Sequence, residues 1–145
     1  MKNMLYTGFT DIGLSLISPV KKMKRILVVE DDEILIEFLN IIFTRSGYVY
    51  KAYRYTENII PLIEEFEPDL VLLDYTLPLL NGEILCNQIK HCPKTRMLPV
   101  IIFSAHSNMF LSVGKYGCDS FIGKPFEPKY LIQKIEMHLI RAQVH

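Results

Sequence analysis

The chain has 145 residues, is 50% apolar by count, and balances 16 Lys+Arg against 16 Asp+Glu. A single domain of this length buries roughly 70% of the surface its unfolded chain exposes, so one packed core is expected. Zero formal net charge leaves no broad electrostatic footprint for nucleic acid, and no apolar run approaches the roughly 20 residues of a membrane-spanning helix, so neither nucleic acid nor membrane is expected as a direct partner.

Residues 1–23 differ from the rest. Met1 to Ser18 mixes large apolar residues with Gly8 and Gly13, is interrupted by Asp11, and shows no small-residue cleavage site. It reads as a mobile extension ahead of a domain spanning 24–142. From Lys24 the pattern alternates regularly. Ile26-Leu27-Val28-Val29 is a short apolar strand. Asp32 can cap a helix whose apolar residues Leu35, Phe38, Leu39 and Ile42 follow helical spacing, and Gly47 ends it. Tyr48 to Tyr53 is a second strand. Ile59, Leu62, Ile63 and Phe66 make a second helical stripe, with Pro61 near its start, where the missing N–H costs little.

Leu70 to Leu73 is an apolar run without polar alternation, the pattern of a strand buried on both faces, and it ends on Asp74. After the Leu77-Pro78 turn, Glu83 to His91 reads as a third helix. Val100 to Phe103 is a fourth strand ending on Ser104. Met109 to Tyr116 reads as a short helix closed by Gly117. Ser120 to Gly123 is a fifth strand ending on Lys124, and Glu127 to Ala142 is the last helix, with Ile132, Ile135 and Leu139 as its core face. Alternating strands and helices with short loops imply a parallel sheet covered on both faces. Cys86, Cys92 and Cys118 are an odd set without tight pairs and read as small core hydrophobes in a reducing, cytoplasmic compartment. His91, His138 and His145 show no ligand spacing and read as solvent-facing.

In a parallel sheet the strand ends point to one edge, so Glu30-Asp31-Asp32, Asp74, Ser104 and Lys124 should converge there. Clustered carboxylates repel unless protonated or neutralised by a cation. Mg²⁺ suits a few carboxylates together with a phosphate oxygen. Lys124 adds a compact positive charge and Ser104 a hydroxyl. The set suits a metal-assisted phosphoryl group better than acid–base hydrolysis. Taken singly, Asp74 could also be a turn former, Ser104 a helix cap, Lys124 a surface lysine and Phe121 plain core.

The chain resembles the receiver domain of two-component response regulators. The likeness rests on Val28-Val29-Glu30-Asp31-Asp32, on Leu73-Asp74-Tyr75-Thr76-Leu77-Pro78 with Asn81-Gly82, on Ser104-Ala105, and on Gly123-Lys124-Pro125-Phe126. Their order and spacing fit the family from about Lys24 to Ala142. The resemblance implies a flavodoxin-like, doubly wound, five-stranded parallel sheet of order 2-1-3-4-5 with five helices. It implies that Asp74 is the phosphoacceptor, and that Glu30, Asp31, Asp74 and the backbone carbonyl of Thr76 hold Mg²⁺, with Asp32 left as a cap. Ser104 and Lys124 become the phosphoryl-binding switch residues, and Phe121 the aromatic switch position, moving inward on activation. Lys124-Pro125 becomes a cis peptide bond. His106, Tyr75 and Thr76 stand where they could tune access to the site.

The expected partners are a histidine kinase or histidine phosphotransfer protein and a downstream protein, with a homodimer possible. The expected role is a stand-alone signalling switch, not an enzyme. Two rivals remain: a pseudo-receiver that binds without phosphorylation, and a Mg²⁺-dependent aspartyl phosphatase. The latter would usually want a second acid two residues after the nucleophile, where Thr76 stands. The segment from Ser104 to Gly117 is about two residues shorter than the family suggests and unusually apolar, with Met109, Phe110, Leu111 and Val113; packing against the core is its simplest reading.

Overall fold

A computed structural model describes residues 22–106 and 117–144. The expected extension at 1–23, except its last two residues, the helix at Met109–Tyr116 and His145 lie outside them. In chain order the elements are β1 (Arg25–Val29), α1 (Glu33–Arg45), β2 (Val49–Tyr53), α2 (Ile60–Phe66), β3 (Leu70–Asp74), α3 (Gly82–Lys90), β4 (Val100–Ser104), β5 (Ser120–Gly123) and α4 (Pro128–Val144). The five strands form one parallel sheet of order β2-β1-β3-β4-β5. The expected strand order is therefore present, with four helices among the described residues where five were expected. None of those four is long and apolar enough to cross a membrane.

The unbroken apolar runs have a direct cause. Side chains alternate across a strand, and both faces of this sheet are covered. Leu27, Val29, Val71, Leu73, Val100 and Ile102 pack with residues of α2 and α3, including Phe66, Leu85 and Ile89. Ile26, Val28, Leu70, Leu72, Ile101 and Phe103 pack on the other face with Leu39 and Phe43 of α1 and with Leu131 and Ile135 of α4. A strand with a wet face would have shown polar alternation. The edge strand β2 is only half-buried along its length.

The helix limits follow from local chemistry. Asp32 Oδ1 accepts from the Ile34 and Leu35 amides at 3.0 and 3.4 Å, so Asp32 does cap α1. Gly47, at φ 80°, leads the chain out of α1 through a conformation that side chains disfavour. The last helix buries Ile135 and Leu139, as expected. Its buried face is Leu131, Ile135, His138 and Leu139, while Ile132 is only partly buried, one step around the helix toward α1.

His138 also corrects the solvent-facing expectation. It is buried, with Nε2 2.6 Å from Ser120 Oγ, and burial pushes its pKa below the ordinary histidine value. Cys86 and Cys118 are buried as expected, and burial pushes the Cys86 thiol up to about 12. Cys92 is only half-buried, against expectation, because it lies just past α3 in the turn before Thr95.

Candidate functional site at the carboxyl edge of the sheet

Strand register places the polar residues. Val29 pairs with Leu73, so Glu30 leaves β1 beside Asp74 at the end of β3. Asp74 pairs with Phe103, and Ser104 pairs with Gly123, one residue before Lys124. Four strand ends thus deliver side chains from distant parts of the sequence to one edge. The Lys124 amide donates to the Ser104 carbonyl at 2.7 Å, which ties the last two turns together.

The centre is an ammonium between carboxylates. Lys124 Nζ lies 2.8 Å from Glu30 Oε1 and 3.3 Å from Asp74 Oδ1. Glu30 is fully buried, and its second oxygen accepts from the Asp32 amide at 3.0 Å. Asp74 Oδ1 also accepts from the Thr76 amide at 3.4 Å. Oxygens of Glu30, Asp31 and Asp74 all lie within 4.8 Å of one another. Burial raises the Glu30 carboxyl to about 7, although Lys124 and the Asp32 amide pull the other way. Burial likewise raises Asp74, against the opposing pull of Lys124.

Three carboxylates face one ammonium, so the cluster carries excess negative charge. Crowded oxygen donors with that excess match the needs of a hard divalent cation, so the donor set fits Mg²⁺. Asp32 is absent from the cluster because its carboxylate is turned to the α1 amides.

The other expected site residues fall nearby with different degrees of engagement. Ser104 is buried, and its Oγ accepts from the His106 amide at 3.0 Å, while His106 itself is exposed at the rim. Thr76 is exposed. Lys124-Pro125 is cis, as the resemblance implied. Phe121 is only 5% exposed and belongs to the α2–α3 face of the core.

Two contributors carry no clear sign of their roles in the sequence. Phe103, which looks like plain core, places its ring 4.7 Å from Lys124 Nζ and steadies the ammonium through its π face. Gly82 stands in the sequence only as part of a motif. Its α-carbon sits so close to the Asp74 carbonyl that a Cβ would collide with it, and its amide donates to the Tyr75 carbonyl at 2.9 Å. The start of α3 is thereby clamped behind the Asp74 strand end. The Asn81-Gly82 pair is the available signal, since Asn81 caps α3 through the Ile84 amide.

Comparison with known proteins agrees with this geometry. The sequence pattern of the response regulator receiver domain family matches residues 26–136. The alkaline phosphatase synthesis transcriptional regulatory protein PhoP of Bacillus subtilis is 31% identical over 83% of this chain and 50% of its own length. The DNA-binding response regulator MtrA of Mycolicibacterium smegmatis is 32% identical over 83% of this chain and 52% of its own. This chain therefore spans about half the length of the curated relatives it matches. Among solved structures, a CheY-like receiver domain protein from Methanospirillum hungatei superposes with a TM-score of 0.74 at 26% identity, covering 84% of this chain and 98% of that one. The receiver domain of a histidine kinase from Syntrophus aciditrophicus gives 0.73 at 28% identity, covering 80% and 89%.

One expectation is overturned here. A balanced charge argues against a nucleic-acid partner, yet relatives of this chain are DNA-binding response regulators. The charge of a receiver segment reports only on its own surface, and in proteins twice as long it does not decide what the whole binds. With five parallel strands in the order 2-1-3-4-5, acidic residues and a lysine gathered at their carboxyl edge, and the family pattern covering most of its length, the chain belongs to the response regulator receiver domain family of two-component systems.

Proposed function

We propose that Asp74 is the phosphoacceptor of this receiver and takes its phosphoryl group from a histidine kinase or a histidine phosphotransfer protein. The observation that carries this reading is the Lys124 ammonium shared by Glu30 and Asp74, at 2.8 and 3.3 Å, inside a cluster of three carboxylates. A carboxylate oxygen of Asp74 attacks phosphorus. The phosphorus–nitrogen bond of the donor histidine breaks, the imidazole leaves with the electron pair, and an acyl phosphate remains on Asp74. Such transfer needs positioning and charge neutralisation more than covalent help. Lys124 is placed to meet a phosphoryl oxygen and Ser104 to offer its hydroxyl.

Glu30, Asp31, Asp74 and the backbone carbonyl of Thr76 would hold Mg²⁺. When bound, Mg²⁺ supplies positive charge that offsets the phosphoryl oxygens. Water and the acyl phosphate then suffice for autodephosphorylation, so the domain is a switch and not a turnover enzyme. The added group carries roughly −1.5 to −2 charges, if it behaves like other side-chain phosphates. Lys124 and Ser104 reorient toward it, and Phe121, on the strand that joins them, passes the change to a downstream partner's surface.

The test is mass spectrometry after incubation with acetyl phosphate and Mg²⁺. One phosphate on the wild type and none on Asp74→Asn is the expected result. An unlabelled wild type, or equal labelling of the variant, would refute the assignment.

A further inference from the structure

The Lys124 ammonium has two ionic partners of unequal reach, Glu30 Oε1 at 2.8 Å and Asp74 Oδ1 at 3.3 Å. Glu30 is the nearer and is fully buried, so by itself it would draw the ammonium toward the end of β1 and away from Asp74. A third partner is apolar. Nζ stands over the Phe103 ring, 4.7 Å from its centroid. Strands β1 and β4 flank β3, so Glu30 and Phe103 reach the lysine from the two sides of Asp74. Phe103 is also the register partner of Asp74, and its carbonyl accepts the Tyr75 amide at 2.9 Å. The ring is thus carried by the same backbone pair that holds the Asp74 carboxylate.

Neighbouring rings fix its orientation. Phe103 is fully buried. Phe126, two residues beyond Lys124, meets it edge to face, with 6.1 Å between centroids and 73° between planes. Phe126 is braced in turn by Phe38 of α1 at 6.4 Å. Edge-to-face contact is an arrangement that ring quadrupoles favour, and it holds one π face of Phe103 toward the lysine.

A π face differs in kind from a further carboxylate or a water. It attracts the cation through its quadrupole. It carries no acceptor atom that must find a new donor when the ammonium shifts onto a phosphoryl oxygen. A leucine in this place would also fill the core, but it would exert no such pull.

We propose that Phe103 is a positioning residue for phosphoryl transfer, its π face holding the Lys124 ammonium beside Asp74 against the pull of Glu30. The proposal rests on Asp74 being the phosphoacceptor and adds to that site a residue that acts only through Lys124.

The test replaces Phe103 in the full chain with mono-, di- and trifluorinated phenylalanine, which weaken the π face stepwise at nearly constant volume. Initial rates of phosphate incorporation are read by intact-protein mass spectrometry over a range of acetyl phosphate concentrations with Mg²⁺. The maximal rate should fall stepwise, by roughly 3- to 10-fold at the trifluorinated ring, the size of a partly desolvated cation–π contact. Midpoints of urea unfolding should stay together across the series, and in a Lys124→Ala background the rates should no longer depend on fluorination. Equal maximal rates across the series, or a slope that persists without Lys124, would overturn the proposal and leave Asp74 as the acceptor. Absence of phosphate on the unsubstituted chain would overturn the acceptor assignment and this role with it.

Discussion

Each edge of the sheet holds a lysine against an aspartate, and the two are balanced differently. At the amino edge, Lys90 Nζ donates to Asp119 Oδ2 at 2.9 Å and to the carbonyls of Leu98 and Arg96 at 2.8 and 3.2 Å. The same Asp119 oxygen accepts the Val100 amide at 2.8 Å, at the start of β4. Ser120 and His138 pair beside them. One cation meets one anion, and every donor of the ammonium is used. At the carboxyl edge, Lys124 is divided between Glu30 and Asp74, with Asp31 as a third carboxylate. Saturation makes the amino edge a joint that holds β4, β5, α3 and α4 together. Charge imbalance makes the carboxyl edge a place where a cation and a phosphoryl group are welcome.

The sharpest way to break this comparison is to remove each lysine's function in turn. Lys124→Ala leaves two buried carboxylates without their shared cation, and phosphoryl incorporation from acetyl phosphate should fall by roughly 100- to 1,000-fold, the range lost when a charge-stabilising group is removed. Both carboxyls are already raised by burial, and losing the ammonium raises them further. The variant should therefore be most destabilised at high pH and recover as acid protonates the pair. Equal destabilisation at pH 5 and pH 8 in urea melts would contradict the electrostatic account.

Asp119→Ala should do the reverse. It leaves the Lys90 ammonium and the Val100 amide short of a partner, at a cost of about 1–3 kcal/mol in denaturant unfolding. Labelling of Asp74 should persist at the wild-type level under folding conditions. A loss of labelling without loss of stability would show that the two edges are coupled.

Smaller effects refine the same contrast through pH. Glu30 has its folded pKa raised from 4.5 to about 7. The folded state then binds the proton more tightly than the unfolded chain, so this group's stability contribution is greatest below about 4.5 and is lost as pH rises through about 7. In metal-free buffer Glu30→Gln should remove that decline, and Mg²⁺ should offset it in the wild type; melting temperatures across the range measure both.

His138 has the opposite sign. Its folded pKa is depressed below 6.5 by burial, so its contribution is intact above 6.5 and is lost as pH falls below it. His138→Asn should flatten this acid-side slope without touching labelling, the smallest change of the set.

Much of this molecule is legible in its sequence. The runs at 26–29, 70–73 and 100–103 lack polar alternation because both sheet faces are covered, and that is a local signal of a parallel sheet. Acidic and basic residues at their ends then have to converge on one edge. The signal fails where partners are set by packing across elements. His138 carries no local sign of its bond to Ser120, eighteen residues away. Phe103 looks like core until Lys124 is laid over it.

The sequence by itself determined the order of the strands' apolar runs, the capping of α1 by Asp32, and the inventory of charged groups at the strand ends, because these depend on neighbours within a few residues. Only the tertiary structure decided how those charges balance. Register between β1, β3 and β4, and the turn after β5, set Lys124 between Glu30 and Asp74, while the docking of α3 and α4 at the opposite edge neutralised Lys90 and buried His138. Electrostatic energy depends on distance and burial, and neither is a property of a residue alone.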